Sequence, residues 1–187
     1  MEQTRLIRLL SNSMDAIREG VAERQLPALG EAFTTLGRTI GDAISDLSSG
    51  HNLSAEAYDR LNLLLNLQHS LHTANEEVGA LGNELESLRQ TSYGRRFSRA
   101  AVEGIDIIAL TLLDVAGQRS PEDAEFLFTM TSDDGKGLAS VRSAYLAEES
   151  QLDSAARMKL LSACNHCERL IWLFGEMGRK YMSLKAA

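Results

Sequence analysis

The sequence predicts an all-α fold: a six-helix antiparallel bundle made of two three-helix repeats. Three observations predict it. Apolar residues recur at alternating steps of three and four along most of the chain, which puts them on one stripe of a helix. Helix breakers are scarce, with two prolines in 187 residues, while Leu, Ala, Glu and Arg, all good helix formers, are common. The pattern also stops after residue 90 and restarts, so a second set of three helices follows the first.

The elements follow in order. Leu6, Leu10, Met14, Ile17 and Val21 make the first stripe. Leu26, Leu29, Phe33, Leu36, Ile40, Ala43 and Leu47 make the second, with Pro27 at its start, where the first amides of a helix need no partner, and "SSG" at 48–50 closing it. The third helix is the longest. Ser54 is its expected N-cap, and Leu64, Leu67, Leu71, Ala74, Val78, Leu81, Leu85 and Leu88 run in unbroken 3-4 steps. From 54 to 88 is about 35 residues, or roughly 50 Å of helix, too long to stand in water unpacked.

After "QTSYG", Phe97, Ala101, Ile105, Ile108, Leu112 and Val115 form the fourth stripe. "SPED" at 120–123 reads as an N-cap, a proline at the first helical position and an acid at the third. The fifth helix then carries Leu127, Met130, Leu138, Val141 and Tyr145, with "DDGKG" as an interruption. The sixth begins near Ser154 and ends about Leu184. At an offset of 100, Ser54 matches Ser154, Ala55 matches Ala155 and Leu61 matches Leu161. The repeats are placed at residues 1–90 and 95–187, as one compact unit.

Composition narrows the function classes. With 44% hydrophobic and 24% charged residues, the balance is that of a folded domain rather than a disordered chain. A net charge of -7 argues against a nucleic-acid surface, which needs a concentrated basic face. The densest basic stretch, "YGRRFSR" with Arg95, Arg96 and Arg99, reads as a solvated connection between helices; contact with a phosphate or lipid headgroup is the alternative. The most apolar run, "IDIIALTLLDVA" at 105–116, is too short to span a membrane and carries Asp106 and Asp114. No signal peptide opens the chain and its two cysteines make no disulfide framework, so a cytoplasmic location is expected.

The candidate sites each have a plainer reading. Cys164-Asn165-His166-Cys167 holds both cysteines. A redox pair belongs at a helix N-terminus, whereas this one falls mid-helix on the stripe of Leu160, Ile171, Phe174 and Tyr181; buried small residues are the expected role. On the third helix His69, His72 and Glu76 share a face beside Gln68, a ligand cluster or else a polar flank of the leucine stripe. "DDGKGL" at 133–138 lacks the strand and spacing of a phosphate loop. Gly37 and Gly41 suggest close helix contact. None of the histidines, His51, His69, His72 and His166, lies in a nucleophile-activating motif, so no enzyme activity is expected.

"LSACNHCERLIWLFGEMGRKY" from Leu161, with its E-R-L-I-W-L core at 168–173, resembles the closing helix of PhoU-family domains. "FLFTMTSDDGKGLASVRSAYL" at 126–146 is similar to the fifth helix, and "LNLQHSLHTANEEVG" at 65–79 takes the place of the third. The likeness is closest to the PhoU-like cytosolic domain of bacterial sodium/phosphate cotransporters. It implies two three-helix repeats side by side, and E(D)-x-x-x-D motifs on the third helix of each that hold metal. Here those motifs fall on Gln68 and His72, and on Glu168 and Trp172. Glu168 alone keeps the carboxylate, His72 stands as a substitute ligand, and Trp172 reads as a position given over to packing. His69 and His166 complete the implied metal set, for a divalent metal or iron at a degenerate site, although a chain without cofactor is the expectation.

The function this implies is a non-catalytic regulatory or accessory domain of phosphate uptake. It would act by protein contact with the membrane part of a phosphate transporter, at the inner face of the plasma membrane, as a fused tail or a separate partner. The alternatives are a helical metal-binding protein using Glu168, His166, His72, His69 and Glu76, or a generic scaffold that forms a homodimer.

Overall fold

The computed structural model describes residues 2–49, 53–90, 92–118, 120–132 and 153–186. Among them it is all-helical, with six helices and no strand: α1 Glu2–Glu19, α2 Ala22–Ser49, α3 Ala55–Leu88, α4 Ser92–Gln118, α5 Pro121–Thr131 and α6 Ser154–Ala186. The fifth-helix positions Leu138, Val141 and Tyr145, like "DDGKG", lie outside the described residues.

Local chemistry sets several boundaries. Ser54 caps α3, its hydroxyl accepting from the Ala57 amide at 3.2 Å, and Ser120 caps α5 by accepting from Asp123, with Pro121 opening the helix. α1 closes on Gly20 at φ 76°. The Gly20 amide donates to the Ile17 carbonyl and the Val21 amide to that of Ala16, a paired closure that needs a left-handed residue. Val21 is therefore a turn residue and its carbonyl already accepts from Arg24 and Gln25. So α2 starts five residues ahead of the expected Pro27, which lies exposed in its second turn.

The apolar stripes form one core. Leu67, Leu71, Ala74, Val78, Leu81, Leu85 and Leu88 of α3 are all buried, as are Phe97, Ile105, Ile108, Leu112 and Val115 of α4. On α2 the buried stripe is Phe33, Gly37, Ile40 and Ile44; Ala43 and Leu47 are exposed instead, because the helix outruns its cover. The stretch "YGRRFSR" is the beginning of α4 rather than a connection, its three arginines exposed on the helix.

Helices α1, α2 and α3 pack on one another, and so do α4, α5 and α6. Between these groups α3 lies against α6, the most extensive helix pair, and α1 against α4. A buried polar link holds the second pair: the Ser11 hydroxyl donates to Asp106 Oδ1 at 2.8 Å, and Arg18 reaches Oδ2 at 3.5 Å. Among the described residues no helix is long and apolar enough to cross a membrane.

Candidate functional site

The polar chemistry of the bundle gathers on the two faces of α3. Toward α2, Gln68 Nε2 donates to the Gly37 carbonyl at 3.0 Å and stands 3.4 Å from His72 Nε2. The His72 ring meets Phe33 edge-on, with centroids 5.5 Å apart. Gly37 makes this approach possible: a Cβ there would stand 2.8 Å from His72 Nε2 and 3.1 Å from Gln68 Nε2. Gly41, by contrast, has nothing within 4 Å of its would-be Cβ, so only the first of the two expected glycines marks a close contact. Gln68 Oε1 is buried and finds no hydrogen-bond partner among the described residues.

Toward α6, the buried Glu77 carboxylate is held twice. His166 Nδ1 sits 2.6 Å from Oε2 and Arg169 donates to Oε1 at 3.0 Å. About two helical turns back along α3 the Lys180 ammonium donates to Ser70 Oγ at 3.1 Å. A third link ties three helices at one end: Gln3 Nε2 donates to the Leu64 carbonyl, while the Tyr181 hydroxyl donates to Gln3 Oε1.

Of the sequence-predicted ligands, the structure brings Gln68 and His72 together but sends His166 to the opposite face of α3, onto Glu77. His69 is exposed, and Glu168 is half-buried beside Cys167. The donors around Gln68 and His72 do not fit a cluster-type metal site, since an amide and an imidazole face one another with no carboxylate, where a hard cation needs several oxygens. Among the described residues no group of three or more His, Cys, Asp or Glu is placed to hold a metal ion.

Cys164 and Cys167 form no disulfide and are both buried, the packing role expected of them. Burial pushes the Cys167 thiol far above its ordinary value, with Cys164 and Glu168 pushing the same way, so it is held protonated and unreactive. Trp172 overturns its expected packing role: it is 60% exposed. The buried side of α6 is set by Cys164, Cys167, Leu170 and Phe174, and Trp172 points away from it.

Glu77, Arg169 and Asp106 are the polar residues that sequence reasoning passed over. Glu77 had a signal, lying seven residues after Ser70 and four before Leu81, on the spacing of the buried stripe. A groove of about 750 Å³ between α1 and α2 is open and lined by Arg5, Arg8, Asn12, Glu31 and Thr35 among others; among the described residues it holds no ligand cluster. Compared with known proteins, the chain matches no family model, no curated protein and no solved structure.

Proposed function

We propose that the chain is a non-catalytic, PhoU-like regulatory or accessory domain of phosphate uptake, acting by protein contact on the membrane part of a sodium/phosphate transporter. The observation that carries this reading is the packing pattern. α1–α3 contact one another, α4–α6 do the same, and the first and third helices of each group meet across the middle. Two three-helix repeats set side by side would need this pattern, and it agrees with the resemblance in the third, fifth and sixth helices. The absence of a catalytic role is argued from chemistry: the buried carboxylate at Glu77 is saturated by His166 and Arg169, and the thiol of Cys167 is held protonated. The transporter contact would lie on the cytoplasmic side.

The test is phosphate uptake into cells carrying a sodium/phosphate transporter, with and without this domain, alongside co-purification of the two. A change in uptake together with co-purification is expected. Uptake that is the same either way, with no transporter recovered, would overturn the proposal.

A further inference from the structure

Several arginines of this protein are answered by an acid one turn earlier on the same helix. Glu2 pairs with Arg5, Asp15 with Arg18, Glu56 with Arg60, Glu86 with Arg89 and Glu176 with Arg179. In each pair the acid precedes the arginine, the order that suits the helix dipole. The beginning of α4 departs from this. Residues 87–102 hold four arginines and no acid, in a chain with 26 Asp and Glu and a net charge of -7. Arg95 and Arg99 are exposed, and among the described residues neither forms an ion pair. Glu103 stands four residues after Arg99, in the less favourable order, and the two do not pair.

These residues share one side of α4. Ser92, Arg95, Arg96, Arg99 and Glu103 recur at helical steps of three and four, and they line an open concavity of about 430 Å³. Arg95 and Arg99, four residues apart, hold their Cβ atoms about 5–6 Å from each other, where two like charges repel. The opposite side of the helix is buried at Phe97 and Ile108, so the arginines are presented by a rigid element packed into the core rather than by a loop.

We infer that this side of α4 binds a phosphate group, carried either by free inorganic phosphate or by a phosphomonoester lipid headgroup. A guanidinium offers a planar fork of donors that fits two phosphate oxygens at once. A tetrahedral dianion has oxygens enough for the forks of Arg95 and Arg99 together, and its charge relieves their repulsion. A carboxylate presents one edge and satisfies one fork. A nucleic acid needs a basic face that follows many phosphates, and here the arginines span little more than one turn. Glu103, at the edge of the concavity, opposes an anion and limits the affinity. The site stands on its arginines; that its occupancy governs phosphate uptake rests on the function proposed above.

The full chain is titrated calorimetrically with inorganic phosphate, with acetate as control. In a second arm it is sedimented with phosphatidylcholine vesicles that contain or lack phosphatidic acid. Two variants accompany it, Arg95→Gln with Arg99→Gln, and Glu103→Gln; all three positions are exposed, and circular dichroism checks the fold. The wild type should bind phosphate in at least one arm, more weakly as salt rises. The double arginine variant should bind about tenfold less tightly. Glu103→Gln should bind more tightly than the wild type, a gain that misfolding cannot produce. Binding of inorganic phosphate makes the free ion the source, and binding of phosphatidic-acid vesicles alone makes it the headgroup. No binding in either arm, equal affinity in the wild type and the double variant, or acetate held as tightly as phosphate would each overturn the inference. The uptake assay separates the two proposals. If uptake responds to the domain while neither arm shows binding, the site falls and the function stands. If phosphate binds as described while uptake ignores the domain, the function falls and the site stands.

Discussion

At Glu77 two side chains reach one buried carboxylate, the His166 imidazole at 2.6 Å and the Arg169 guanidinium at 3.0 Å. A carboxylate is tolerated at such a place only when its oxygens are satisfied. Glu77→Ala should cost about 2 kcal/mol in urea unfolding, because it strands the half-buried imidazole. Arg169→Ala should cost less than about 1 kcal/mol, since that side chain is 61% exposed. At Cys167 the consequence is one of pH. Its folded thiol titrates well above the ordinary value of 9.0, so the folded state holds the proton more tightly than the unfolded chain. The stability this supplies is complete below pH 9 and is lost as pH rises beyond it, by up to about 1.4 kcal/mol per pH unit. Unfolding free energies at rising alkaline pH should show that slope in the wild type and a shallower one in Cys167→Ala. The cysteine role was legible because burial follows from the stripe alone. The Glu77 clasp was only half legible: the steps from Ala74 to Leu81 put Glu77 on the buried stripe, but which side chains meet it depends on where α6 lies.

Among the helices, the α2–α3 contact turns on Gly37. A Cβ there would press on His72 and Gln68, and Gly37→Ala should destabilise by about 1–3 kcal/mol through overpacking. Gly30, on the same helix, has nothing within 4 Å of its would-be Cβ. Gly30→Ala should stabilise by up to about 1 kcal/mol through helix propensity. Melting both variants checks the pair, and a loss in both would refute the close contact. Element boundaries were legible where they are local, as at Ser54 and Ser120, whose hydroxyls bond three residues on. The start of α2 was hidden because the Gly20 closure of α1 determines it. Leu47 was read as buried since periodicity reports which side of a helix it occupies. Whether anything covers that side depends on where α1 begins.

For the whole molecule, the pairing of α3 with α6 and of α1 with α4 makes each group of three helices incomplete without the other. Thermal unfolding should be a single transition by circular dichroism and by tryptophan fluorescence at Trp172. Residues 1–90 alone should be less than about half helical, because an amphipathic helix owes most of its stability to the face it packs. A stable, fully helical fragment would refute that dependence and make the first three helices a domain of their own. The six helices among the described residues, and their core, were legible from the sequence because the stripes are long and regular. Which helices meet was not, since a stripe names no partner.

The Gln3–Tyr181 hydrogen bond joins positions 178 apart, and this has a consequence for the order of synthesis. α1 leaves the ribosome first, yet its neighbour α4 comes after α3, and α6 comes last. At translation rates of about 5–20 residues per second, the three leading helices wait roughly 5–20 s for α6. Throughout that interval the side of α3 that α6 will cover faces water, so the nascent chain, rather than the finished protein, is the form that most needs a chaperone.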